Sequence, residues 1–204
     1  LNMFLRFIIT TICLFLIFSC SSDDGKEFSN LNNNNLANPE TLYIQGMDKF
    51  NNAQYTEAVI IFKNIQKIYP LSNEAIQSQI MIGFVDYLLL DYDSAILKFD
   101  RLIKKHPSLK NIDYVYYMKA LCYYEQISHE GLDGKFNILA LENLDQVINR
   151  FPDSKYAKDS YQKKILVKSN IAAKHITIAR FYQQKEKYTA ALKRYQIIVD
   201  DFSE

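Results

Sequence analysis

Few groups in this sequence are able to do covalent or coordinate chemistry: three cysteines and three histidines stand in 204 residues. His106, His129 and His175 are scattered. No His-Glu or paired-cysteine spacing suits a metal, no glycine-rich loop suits a phosphate, and no serine is flanked by glycines as a nucleophile would be. The expectation is a non-enzyme with neither metal nor other cofactor. Cys122, within Ala120-Leu121-Cys122-Tyr123-Tyr124, reads as a small buried hydrophobe. Cys13 and Cys20 lie in or at the end of an apolar leader, and Cys20 is the thiol expected to react.

That leader consists of Arg6 followed by an apolar run from Phe7 to Phe18, the pattern of a secretory signal. It falls short of the roughly 20 apolar residues that span a bilayer. It ends in Leu16-Ile17-Phe18-Ser19-Cys20, which resembles the bacterial lipobox: an aliphatic residue three before a cysteine and a small residue just before it. The Cys20 thiol would take a diacylglyceryl group and become the mature N-terminus, more than one acyl chain being needed for stable anchoring. The expected organisation is a signal peptide over 1–19, a lipidated flexible tether over 20–38 and a repeat domain over 39–204. The tether, polar and with asparagines from Asn32 to Asn35, would reach roughly 20–25 Å.

Lys and Arg number 24 against 23 Asp and Glu, a net charge of +1, with both signs mixed along every segment. A surface that tracks phosphates concentrates one sign, so no nucleic-acid partner is expected. Five glycines and four prolines beside 49% hydrophobic residues leave little material for tight turns and favour helices.

The elements that position any site follow from self-comparison. Gly46 and Gly83, Tyr55 and Tyr92, Ala58 and Ala95, Phe62 and Phe99, and Pro70 and Pro107 all stand 37 residues apart. The order Gly, Tyr, Ala, Phe, Pro resembles the tetratricopeptide pattern of two antiparallel helices, A and B, so the fold class is an all-α superhelix of helical hairpins, an α-solenoid. The glycines and alanines let A and B approach, and Phe62 and Phe99 are expected to fill the space between neighbouring hairpins. Pro70 and Pro107 stop helix B because proline lacks an amide donor and disfavours helix in the residue before it. A third unit carries Ala120, Ala140 and Pro152, with eight extra residues between its helices around Ser128 to Gly134; this polar loop is a candidate contact. Between Ser154 and Lys185 there is neither Gly nor Pro, which predicts one long helix with Ile165, Val167, Ile171, Ala172, Ile176, Ala179 and Phe181 as its apolar positions. A fourth unit follows with Tyr188, Ala191, Tyr195 and Phe202. The predicted helices are 40–52, 56–69, 74–89, 93–105, 112–126, 137–150, 154–184 and 187–201.

The repeat phase places four positions of each helix A on the inner wall. They are Glu40, Tyr43, Met47 and Phe50; Gln77, Ile80, Phe84 and Tyr87; and Tyr114, Tyr117, Leu121 and Tyr124. Met47, Phe50 and Leu121 read more readily as packing between helices than as open wall, because an amphipathic helix buries a broad stripe; the candidate groove taken from these positions is Tyr43, Met47, Phe50, Ile80, Phe84, Tyr87, Tyr114, Tyr117 and Tyr124. Tyrosine suits a half-wet groove because it joins an apolar body to a polar tip.

Together the lipobox, the first repeat from Leu42-Tyr43 to Tyr69-Pro70, the segment Ile112-Asp113-Tyr114-Val115-Tyr116-Tyr117-Met118, the interrupted third repeat and Arg150-Phe151-Pro152-Asp153-Ser154 resemble the BamD family of β-barrel assembly lipoproteins. The resemblance runs from Cys20 to Glu204. It implies a scaffold that binds unfolded β-barrel precursors, the barrel-folding catalyst BamA and other assembly lipoproteins. It also implies a membrane association through the lipid anchor on the periplasmic face of the outer membrane, with Ser21, a residue other than Asp, favouring export to that membrane. That family has five repeats, so contacts made by a fifth are not carried over. The alternative expectation is an envelope tetratricopeptide lipoprotein that organises cell-wall or division proteins.

Overall fold

The computed structural model describes residues 37–127 and 134–202. Cys20, the leader, most of the tether, and the inserted loop except Gly134 lie outside the described residues. Within the compact unit Asn38–Glu204 the described residues form helices and no strand: α1 Pro39–Asn51, α2 Tyr55–Ile68, α3 Asn73–Leu88, α4 Tyr92–Lys105, α5 Ile112–Glu125, α6 Lys135–Arg150, α7 Lys155–Gln184 and α8 Tyr188–Phe202. Each boundary falls within two residues of expectation. None of these helices is long and apolar enough to cross a membrane.

Local chemistry explains the punctuation. The A helices α1, α3 and α7 begin on N-caps: Asn38 Oδ1 accepts from the Thr41 amide at 2.8 Å, Ser72 Oγ from Ala75 at 3.0 Å and Ser154 Oγ from Tyr156 at 3.2 Å. The B helices α2, α4 and α6 are each capped at the C-terminus by the residue before a proline. Tyr69, His106 and Phe151 share one conformation there, with φ of −126°, −131° and −135°, because the proline ring excludes the helical region. The A-to-B turn repeats as well: Ala53, Leu90 and Glu186 hold left-handed backbone, with φ of 57°, 62° and 57°. Each lies five residues before the small residue of its B helix, Ala58, Ala95 or Ala191.

The phenylalanines act more locally than expected. A Cβ on Gly46 would lie 2.6 Å from Phe62 Cε1, and one on Gly83 2.8 Å from Phe99 Cε1. Both rings are fully buried, so each fills the hollow left by the missing side chain in its own hairpin. The apolar cluster around Phe62 then extends to Ala75 and Ile82 of α3, which joins the hairpin to the next.

The long helix α7 serves two registers. Ser160, buried like Ser78 of α3, continues the A-helix stack, and Val167 enters the core beside α5 and α6. Further along, Ala179 and Ala191 are both buried and stand twelve positions apart, the spacing of Gly46 and Ala58, so the second half of α7 pairs with α8 as a new hairpin. Of the apolar positions expected on α7, Ile165 and Phe181 are exposed, because a helix that changes partners midway changes its buried face. Ion pairs tie successive helices: Lys98 to Asp86, Lys119 to Asp100 at 2.8 Å and Lys164 to Asp145 at 2.6 Å. They fix orientation more than they stabilise, since exposed pairs contribute about 0.2–1 kcal/mol each.

Cys122 is fully buried, and burial pushes its thiol up to about 12. A form beginning at Ser21, in which Cys122 is the one remaining thiol, is expected to show no reaction with Ellman's reagent at pH 8 and one equivalent in denaturant. Rapid reaction in native buffer would mean that the third hairpin opens locally.

Candidate aromatic wall

The wall follows from which helices touch. Among the described residues α1 meets α3, α3 meets α5 and α5 meets α7, whereas α2, α4 and α6 do not reach one another. The A helices therefore stack on the inner side, and the B helices splay outside them.

Along this inner side the rings form two runs. Phe50 of α1 stands 5.5 Å from Tyr55 and 5.8 Å from Phe84 of α3, Phe84 stacks at 6.2 Å on Tyr87, and Tyr87 meets Tyr92 edge-on at 5.7 Å. In the second run Tyr156 of α7 receives Tyr114 at 5.4 Å and Tyr117 at 5.0 Å, the latter stacked. All of these rings are half-buried. Tyr43 is set apart, 5.6 Å from Phe62, and Met47 packs on the same cluster. Tyr124 lies beneath the Lys163 ammonium, 5.1 Å from the ring centre. Ile80 is a correction: only 4% exposed, it belongs to the core between α3 and its neighbours, because the face turned toward α5 and the face turned inward overlap at that position. Leu121 is buried as well.

The hydroxyls are committed across repeats. Tyr117 donates to Asp159 Oδ2 at 2.5 Å, and Tyr87 donates to Glu125 Oε1 at 3.5 Å. Burial, then the Glu125 charge, pushes Tyr87 up to about 12. Burial also pushes Tyr114 up to about 12. Tyr117 is raised by burial and further by the hydrogen bond and charge of Asp159. These phenols thus remain neutral donors throughout the ordinary pH range. Tyr87 and Tyr117 each point at the A helix of the following unit, so a tyrosine is at once wall and fastener.

Sequence reasoning missed Tyr92, Glu125, Tyr156, Asp159 and Lys163. The repeat phase, carried forward from Ala140 instead of Ala120, reaches Asp159 as the first wall position of the fourth unit. The eight-residue insertion hid that register.

On the edge where B helices pass to A helices, a cleft of about 360 Å³ is lined by Lys110, Ile112, Asp113, Arg150, Phe151, Pro152, Asp153 and Ser154. Here two of the segments that carry the family resemblance, Ile112 to Met118 and Arg150 to Ser154, meet. Ser154 Oγ donates to Asp113 Oδ2 at 2.7 Å, Tyr116 and Phe151 are 5.4 Å apart, and the Arg150 guanidinium lies 4.9 Å over the Tyr116 ring. These contacts lock α5 to the start of α7.

The chain is similar to several known proteins. Outer membrane protein assembly factor BamD of Caulobacter vibrioides is 32% identical over 161 residues, 79% of this chain and 53% of that protein. BamD of Rickettsia prowazekii is 33% identical over 162 residues, 79% of this chain and 64% of that protein. The chain thus spans between half and two-thirds of the length of these relatives. Among solved structures, TTC0263, a thermophilic TPR protein of Thermus thermophilus, aligns with a TM-score of 0.48 at 14% identity, over 82% of this chain and 93% of that one. The YfiO family model, described as outer membrane lipoprotein, matches residues 36–204, and on that match together with its BamD relatives this chain belongs to the YfiO/BamD family.

Proposed function

We propose that this chain is a non-enzymatic scaffold of outer-membrane β-barrel assembly. It is anchored by lipid on Cys20 at the periplasmic face of the outer membrane, and it holds unfolded barrel precursors for the catalyst BamA and the other assembly lipoproteins. The observation that carries this reading is the aromatic wall shared by α1, α3, α5 and α7. An extended segment of a barrel precursor presents side chains alternately to either side, so its aromatic residues would lie on Phe50, Phe84, Tyr87 and Tyr117. Its backbone amides and carbonyls would meet the polar tips between them. Relatives of this chain carry the name outer membrane protein assembly factor, which supports the same reading. So does the inert setting of Cys122, buried and with a thiol too weakly acidic to act as a nucleophile.

Fractionation with affinity capture tests the proposal. Wild-type chain is expected in the outer membrane with a large barrel protein recovered alongside it, and Cys20→Ala is expected to shift to the soluble periplasmic fraction. Undiminished membrane association of Cys20→Ala in cells depleted of the barrel partner would remove the anchor from the proposal. Recovery of wall-synthesis or division proteins in place of a barrel protein would favour the alternative scaffold.

A further inference from the structure

Beside the tyrosines of the aromatic wall stands an exposed carboxylate without a cation, Glu125. Asp86, Asp100, Asp145 and Asp159 each pair with a lysine, but among the described residues no basic side chain lies within ion-pair distance of Glu125. Glu125 ends α5 and is exposed. Its one hydrogen bond among the described residues comes from the Tyr87 hydroxyl at 3.5 Å, at the outer limit of such contacts, so nearly all of its acceptor capacity is open. Beside it stand the rings of Tyr87 and Tyr92, 5.7 Å apart and inclined by 60°. The negative charge of Glu125 contributes to raising both phenols, an independent sign that it lies close to the two rings.

A free carboxylate edged by two aromatic faces is complementary to a flat cation. Guanidinium bonds a carboxylate with two parallel N–H donors while its plane rests on a ring, which an ammonium does less well. We infer that Glu125 receives a basic side chain, arginine above all, from the extended segment held on the wall; this rests on the proposal that such a segment occupies it. The spacing of the partner follows. Packed helices lie about 8–10 Å apart, and an extended chain advances about 3.3 Å per residue with successive side chains on opposite faces, so two side chains that both face the wall one helix step apart are separated by about two or four residues. An arginine at Glu125 places an aromatic residue about two or four positions away toward Phe84 and Phe50, whose rings are 5.8 Å apart. The ligand class is thus an extended peptide with arginine and an aromatic residue on one face, about two or four positions apart.

Fluorescence anisotropy with two labelled peptides tests this, one of Arg-x-Phe-x-Phe pattern and one with glutamine in place of arginine. Both are titrated against the full chain, Glu125→Gln, and Glu142→Gln, which removes an exposed charge from α6. The arginine peptide is expected to bind the wild type and Glu142→Gln about tenfold more tightly than the glutamine peptide, and this advantage is expected to vanish in Glu125→Gln. If both peptides bind but the advantage is absent, or persists in Glu125→Gln, the inference is overturned and the aromatic wall stands as a peptide site. If neither peptide binds the wild type, the occupied-wall proposal itself fails and takes the inference with it.

Discussion

Phe99→Ala is expected to lower the unfolding free energy by about 3–5 kcal/mol, the usual loss when a buried phenylalanine site is emptied. The ring is fully buried, fills the hollow over Gly83 and belongs to the cluster that includes Ile112, Val115 and Ala120 of α5. Removing it frees α3 and α4 from each other and from the next unit. The complementary change, Gly83→Ala, gains about 1 kcal/mol of helix propensity but drives a methyl to 2.8 Å from a ring with nowhere to go. Overpacking of this kind costs about 1–3 kcal/mol, so a net loss follows. Combining Gly83→Ala with Phe99→Leu reshapes both sides of one contact. Urea unfolding followed by circular dichroism is expected to give a double-variant loss smaller than the sum of the two single losses, with a coupling of about 0.5–3 kcal/mol. Strict additivity would show that the glycine–phenylalanine contact does not set the spacing of the hairpin.

The second large effect is on capture. Replacing Tyr87 and Tyr117 together with alanine is expected to weaken binding of an aromatic, extended barrel-derived peptide by about 10-fold to 100-fold, as removal of aromatic anchors from a recognition surface does. Tyr117 also fastens α5 to α7 through Asp159, and Tyr87 makes a long contact from α3 to Glu125 of α5, so alanine alone would not separate binding from support. Phenylalanine separates them. Tyr87→Phe with Tyr117→Phe keeps both rings and is expected to retain most of the affinity. It should cost about 1 kcal/mol of stability for the lost bond to Asp159, a charged acceptor that is partly exposed. Peptide affinity that follows stability across the alanine and phenylalanine variants, instead of following the rings, would move the binding site off the wall.

The position of each helix was legible in the chain because the cues are local. Prolines at 70, 107 and 152 close the B helices through a restriction on their immediate neighbours, and serine or asparagine opens three of the A helices through a bond to the amide two or three residues on. The 37-residue period then carries the small residues to equivalent places, and two of its glycines meet the phenylalanines of the same repeat. Ile80 shows where this reasoning stops. Phase around one helix puts it on the wall, but whether a position on that face is open or covered depends on how the neighbouring helices cross, and Ile80 lies in a cluster built with residues of α4 and α5.

The same limit explains the tyrosines. That they are aromatic and inward-facing follows from spacing alone, as does the expectation of a half-wet groove. That Tyr117 donates its hydroxyl hydrogen to Asp159 and that Tyr156 stacks between two tyrosines of α5 were decided by α7. This helix leaves the period after an insertion of eight residues and changes partners along its length. That Glu125 meets Tyr87 was decided by the crossing of α3 and α5. Helix formation and capping depend on neighbours within about four positions, so the sequence by itself determined the hairpins, their turns and the aromatic character of the inner side. The contacts that turn the rings into a surface link residues 38 to 42 positions apart. They exist only when the crossing of whole helices brings those residues together, and that the tertiary structure alone decided.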